Sequence, residues 1–211
     1  MSKTFLIGSC EPFSGKSALV LGIARNLIAS NHLVRFGKPL ATSLELNVSE
    51  AGDIQNMIDD DVRFVGETLN LSVDDLIPSI QFLAASTASK RIQKNIVDAG
   101  IKFDEFKSSL DSSNDVINIL EAAGSLHEGL LYGLSLSQLA KGLNAKVLLA
   151  HFWQDSRSVE PLLDAKNQLG EHLSGVVLNA VNPDQIKEIK EDIVPSLKSL
   201  GLDVFGVMPR S

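Results

Sequence analysis

The residues with the clearest chemistry lie near the start of the chain, in Gly8-Ser9-Cys10-Glu11-Pro12-Phe13-Ser14-Gly15-Lys16-Ser17. An apolar run from Thr4 to Gly8 leads into this segment and a helical pattern leaves it. Strand, loop and helix in that order form the context a phosphate-binding loop requires. Backbone N–H groups at the helix start, with the helix dipole behind them, favour negative charge there. Cys10, Glu11, Pro12, Phe13, Ser14, Gly15, Lys16 and Ser17 are therefore expected to wrap the phosphates of a nucleotide. Gly15 lets the backbone come close, Lys16 reaches the β and γ phosphates as a point charge, and the Ser17 hydroxyl is placed for Mg²⁺. The first glycine of the usual pattern would fall where Cys10 stands. The competing reading is a glycine turn with an exposed lysine. Cys10 reads either as a reactive thiol beside a helix start or, preferred here, as a small apolar group.

Further candidates sit at strand ends, where ligands of open α/β sheets bind. Lys38, in Gly37-Lys38-Pro39, is a cation suited to a phosphate or carboxylate. Glu121 closes Val116-Ile117-Asn118-Ile119-Leu120. Mg²⁺ keeps several waters and takes one or two carboxylates, so Glu121 and one acid of Asp59-Asp60-Asp61 would suffice. Asp61, or Asp60 beside it, is the candidate, although the three acids also read as an N-cap and first-turn charges. His127-Glu128 invites a catalytic reading but reads better as solvated loop. Trp153 and Arg157 read equally as ligand contacts or as packing and surface residues.

The elements that must position these groups alternate. Helical patterns span Lys16–Ala29, Val62–Leu69, Leu134–Leu143, Val159–Leu169 and Asp184–Leu200, with a longer one over Ala88–Leu110, broken or bent near Gly100. Between them run Leu33–Phe36, Val116–Leu120, Lys146–His151, Gly175–Leu178 ending at Asn179, and Val204–Val207. Continuous apolar strands between helices predict an α/β fold, a mostly parallel central sheet with helices on both faces. A polar stretch over 41–61 is long for a plain connection. No composition shift divides residues 1–211, so one domain is expected.

Lys and Arg total 19 and Asp and Glu 26, a net charge of −7, which argues against a nucleic-acid binder. A single cysteine excludes an internal disulfide or a cysteine-built zinc site and points to a reducing cytoplasm. No signal segment and no membrane-length apolar run stands out.

Taken together, these positions resemble dethiobiotin synthetase and its relatives over almost the whole chain. Those relatives are the similar N-terminal domains of phosphate acetyltransferases and the cobyrinic acid a,c-diamide synthase group. The loop through Lys16-Ser17, Gly37-Lys38-Pro39, Asp61, and Glu121-Ala122-Ala123-Gly124 carry the resemblance. So do Asn179, similar to the asparagine that recognises the base, and Pro209, similar to a proline-containing loop that closes over it. The resemblance implies a P-loop NTPase fold, ATP and Mg²⁺, Lys16 and Lys38 as catalytic residues, a small-molecule substrate and a homodimer. It implies γ-phosphoryl transfer to a small carboxylate or amine-derived acid. Three features depart from the family. The loop is one residue longer, Glu121 is followed by alanine, and Pro78-Ser79-Ile80 stands where a threonine/serine-proline segment is expected. They leave a second reading open, a nucleotide-sensing regulatory domain with little turnover, and a third, a plain P-loop hydrolase or nucleotide kinase. Ending at Ser211, the chain is expected to suit the N-terminal part of a longer multidomain protein.

Overall fold

The computed structural model describes residues 3–43, 57–110 and 115–210. Most of the polar stretch over 41–61 lies outside the described residues. The main sheet is built from β1 (Lys3–Gly8), β2 (Leu33–Gly37), β4 (Leu76–Ile77), β6 (Val116–Glu121), β7 (Lys146–Phe152), β8 (Leu173–Val181) and β9 (Val204–Pro209). Their order is β4-β2-β6-β1-β7-β8-β9, and every pair is parallel. The short strands β3 (Leu40–Ala41) and β5 (Gln81–Phe82) pair separately.

Side chains alternate across a strand, and both faces here are covered. Ile7, Phe36 and Ile119 turn to the side held by α1 (Lys16–Ala29) and α2 (Asp60–Leu69), meeting Val20, Ala24, Val62 and Val65. Leu6, Leu120, Leu149 and Val176 turn to the other side. There they meet Leu136 and Leu139 of α5 (Leu136–Leu143), Leu162 of α6 (Val159–Leu169) and Leu197 of α8 (Val194–Ser199). Gly8 ends β1 against Leu136, where a Cβ would fall 2.4 Å from a methyl of that leucine. A side chain there would force Leu136 out of its place.

The expected helix over Ala88–Leu110 is two helices, α3 (Ala85–Gln93) and α4 (Ile101–Leu110). Asn95, just past the end of α3, takes φ 53°, the left-handed turn that ends a helix, and Gly100, at φ 61°, leads into α4. The helix expected over Asp184–Leu200 begins as α7 (Ile186–Glu188), widens to a π turn over Ile189–Ile193 and continues as α8. Pro195 lies in the first turn beyond the bulge and cannot donate a backbone hydrogen bond. β3, β4 and β5 are two residues each, too short to register as apolar runs. Pro209 is the last residue of β9, paired with Val181, and so lies in a strand rather than a loop.

Register brings the chemistry together. Ile7 lies opposite Glu121, and Gly37 opposite Leu120. The phosphate loop, Lys38 and Glu121 therefore leave the same edge of three adjacent strands.

Candidate functional site

The loop after β1 is braced from within. Ser14 Oγ donates to the Glu11 carbonyl at 2.7 Å, and Ser9 Oγ lies 2.8 Å from that oxygen and 3.0 Å from the Gly124 carbonyl. Asn179, at the end of β8, donates from Nδ2 to the Ser14 carbonyl at 3.0 Å. Gly15 has φ 89°, and a Cβ there would fall 2.0 Å from that same Nδ2. Glycine is thus required twice, for its conformation and for its missing side chain. Gly15 caps α1 with no side-chain hydrogen bond, and no acid occupies the first turn. The orphan N–H groups of that turn are left for an anion. By contrast, α2 is capped by Asp59 and carries Asp60 and Asp61 in its first turn.

Two lysines converge beside this loop. Lys16 is 8% exposed. Its Nζ donates to Ser9 Oγ at 3.2 Å and to the Gly124 carbonyl at 3.5 Å. Burial pulls its pKa below the usual lysine value, against the neighbouring Glu121 charge. Lys38, 4% exposed, donates to Asp61 Oδ2 at 2.8 Å, Thr42 Oγ1 at 2.5 Å and Asp59 Oδ1 at 3.4 Å. Burial would lower its pKa, but the Asp61 hydrogen bond and the Asp59 charge outweigh it and hold the ammonium form. Asp59 is fully buried and accepts from the backbone N–H groups of Thr42, Ser43 and Asp61. Glu121 is 3% exposed, and burial pushes its pKa up to about 7 although both lysines pull it down.

These groups face one open cavity of about 600 Å³, walled by Lys16, Ser17, Lys38, Asp61, Glu121 and Glu128 among others. Ser17 Oγ donates to Glu121 Oε2 at 3.4 Å. A hydroxyl with two carboxylates is a hard-oxygen donor set, which fits Mg²⁺ and the few protein ligands it takes. The uncapped first turn of α1 and two buried ammonium groups fit the phosphates that would complete its shell.

The sequence-named residues divide. Pro12, Phe13, Ser14, Gly15, Lys16 and Ser17 line the cavity with Lys38, Asp61 and Glu121. Asp60 instead accepts from Ser43 Oγ at 2.5 Å. Cys10 and Glu11 are not in the cavity wall. The Cys10 thiol donates to the Pro161 carbonyl at 3.4 Å, and burial pushes its pKa up to about 12, the behaviour of a small apolar group. Asn179 lies behind the loop, and Pro209 is exposed on β9. Trp153 is a 5% exposed core residue, while Arg157 is exposed and tied to Asp155. His127 is exposed, 3.8 Å from Asp164. Its neighbour Glu128, read from sequence as solvated, turns inward and accepts from Gly124 N–H. The three acids Asp59 to Asp61 do serve as N-cap and first-turn charges, but the roles of Ser9 and Thr42 and the reach of Asp59 to Lys38 were missed. These residues bind backbone and lysine groups across the fold, which no local spacing announces.

A family model described as an AAA domain matches residues 3–211. Among solved structures, the MinD cell division protein of Aquifex aeolicus is 15% identical with a TM-score of 0.58, covering 99% of this chain and 82% of that one. A putative plasmid partition protein from Borrelia burgdorferi B31, bound to AMPPNP, is 14% identical with a TM-score of 0.55, covering 99% and 87%. The cell division protein ftsY of Thermotoga maritima is 16% identical with a TM-score of 0.54, and the match spans 63% of that chain. At such identities the likeness carries the fold alone, a parallel seven-stranded sheet of the P-loop NTPase type.

Proposed function

The chain belongs to the AAA domain family and is a P-loop nucleotide-binding protein; from that premise we propose that it binds ATP with Mg²⁺ and transfers the γ-phosphoryl group to a small acid. The observation that carries this reading is the convergence of Lys16, Lys38, Ser17, Asp61 and Glu121 on one cavity. In phosphoryl transfer the protein acts by positioning and by neutralising charge. The first turn of α1 and Lys16 would hold the β and γ phosphates. Ser17, Glu121 and Asp61 would hold Mg²⁺, which when bound neutralises phosphate charge. Lys38, aimed by Asp59 and Asp61, would sit where the acceptor meets the γ phosphate. Asn179 would keep the loop in shape from behind and offer its amide edge to the base, with Pro209 beyond it.

The reading takes residues 1–211 as one domain, working in the cytoplasm as a homodimer, away from membrane and nucleic acid. No described helix is long and apolar enough to cross a membrane. One observation favours the second reading, nucleotide sensing with little turnover. Lys38 is already held by two acids, so its charge is partly spent before any phosphate arrives.

Calorimetric titration of ATP with Mg²⁺ into the protein and into Lys16→Ala tests the site. Binding that Lys16→Ala abolishes is expected, and equal binding by both proteins would refute it. Phosphate release across a panel of small carboxylic and amino acids separates the readings. Release stimulated by one acid supports transfer, and tight binding with none supports sensing.

A further inference from the structure

A second cavity, of about 430 Å³, opens between β2, the β4–β5 turn and α4, lined by Arg35, Ser79, Ile80, Lys102, Glu105 and Phe106 among others. We propose that it is a binding site for a compact dianion, a small dicarboxylate or a phosphate ester, whose occupancy adjusts the Lys38 clamp.

Three observations lead there. Ser79 lines the cavity at 7% exposure, and its Oγ, itself closed off from solvent, has no hydrogen-bond partner among the described residues. A buried hydroxyl left unpaired costs stability and calls for a partner. Arg35 spends one guanidinium N–H on the Ser109 carbonyl at 3.1 Å, and its planar fork offers further donors of the kind that grip carboxylate or phosphate oxygens. With Lys102, two cations face the single acid Glu105. On a chain whose net charge is −7, that makes the cavity a local positive focus that favours anions.

The wiring supplies the consequence. Arg35 lies three residues before Lys38 in the same chain segment. Ser79 N–H donates to the Met57 carbonyl at 2.7 Å, two residues before Asp59. Ile80 N–H donates to the Pro39 carbonyl at 2.8 Å, one residue after Lys38. An anion drawn to Ser79 and Arg35 therefore bears on both partners of the Lys38–Asp59 pair. Coupling between two sites is reciprocal, so the anion shifts ATP affinity by the factor by which ATP shifts the anion's. The anion site itself does not depend on the nucleotide reading; the coupling does.

The test titrates succinate and, separately, inorganic phosphate into the wild type, Arg35→Gln, Ser79→Ala and Lys16→Ala, followed by amide NMR shifts. At least one probe should move the amides of Arg35, Ser79 to Gln81 and α4. Arg35→Gln should weaken that binding about tenfold, the worth of one charge-assisted contact, and Ser79→Ala severalfold. Lys16→Ala should leave it unchanged. Ser79→Ala removes an unpaired hydroxyl, so its melting temperature should hold or rise, and it decides the matter if Arg35→Gln does not fold. Shifts confined to the phosphate loop, shifts lost in Lys16→Ala, or no response to either probe would overturn the site. Binding with no change in ATP affinity, in a protein that does bind ATP, would overturn the coupling.

Discussion

Gly15→Ala should damage the phosphate loop in a way that Asn179 reports. An alanine at φ 89° takes on left-handed strain of about 1–2 kcal/mol. Its Cβ, 2.0 Å from Asn179 Nδ2, also drives the amide off the Ser14 carbonyl, a loss of about 1 kcal/mol. The single substitution should therefore cost about 2–3 kcal/mol, a fall in melting temperature of roughly 5–10 °C for a chain of this size. Asn179→Ala alone removes only the hydrogen bond, about 1 kcal/mol. In the double variant the bond is already gone and the clash has no target, so the cost stays near that of Gly15→Ala. The cycle should then show a coupling of about 1 kcal/mol, beyond the scatter of independent sites. Urea unfolding of the four proteins measures it. Additive costs would mean that the alanine Cβ leaves the Asn179–Ser14 bond in place, and the argued clash would be wrong.

Removing Lys38 should hurt the fold more than removing Asp61. Lys38→Ala strips the counter-ion from a fully buried Asp59 that keeps three N–H donors, at about 2–3 kcal/mol. Asp61→Ala, with a side chain 50% exposed, should cost no more than ~1 kcal/mol by urea unfolding; the reverse ranking would refute the clamp. Glu121 is protonated more readily folded, near pH 7, than unfolded, near 4.5. The stability this provides is complete below pH 4.5 and is lost as pH rises through 7. Without metal, Glu121→Gln should therefore gain on the wild type by up to about 3 kcal/mol between pH 5 and 8; a constant difference across that window contradicts the burial argument. Cys10 should resist iodoacetamide at pH 8 in the folded protein and react once urea unfolds it, read by intact mass. Chelating Mg²⁺ should weaken ATP binding more than tenfold by calorimetry, and equal binding in its absence would remove Ser17, Asp61 and Glu121 from the metal role.

The sheet was legible because β1, β6, β7 and β8 are apolar on both faces and lie between helices of ordinary length. The phosphate loop was legible because Gly15-Lys16-Ser17 sits between a strand and a helix whose limits, Lys16–Ala29, follow from its apolar face. The convergence of Lys38 and Glu121 was visible only as two strand ends. What joins them is the pairing of β2 and β6 across many intervening residues, and no periodicity encodes which strands become neighbours. Asp59 was hidden for a related reason. As an N-cap it is local chemistry, but its burial and its grip on Thr42, Ser43 and Lys38 depend on β3 arriving beside α2. Glu128 was lost because a reading by residue type saw only His127 next to it, whereas its partner is a backbone N–H four residues back.

The charges at the cavity argue about order of events. Two ammonium groups, Lys16 and Lys38, stand with four carboxylates, Asp59, Asp61, Glu121 and Glu128. Asp59 is spent on backbone donors and Lys38, and Glu128 on Gly124. That leaves Asp61 and Glu121 as the groups whose state must change before a polyphosphate can enter, since like charges in a partly buried site repel strongly. Asp61 and Glu121 would both be satisfied by holding one divalent cation. In taking up Asp61 it would loosen the 2.8 Å bond that holds Lys38, releasing that ammonium toward the phosphates. On the proposed reading, the contact that neutralises Lys38 would make its availability conditional on metal and nucleotide together, an arrangement that would suit a transferase and a sensor equally well. On that reading transfer and sensing would part at the acceptor, for which the cavity wall beyond the phosphate loop offers Leu83 and Ala122.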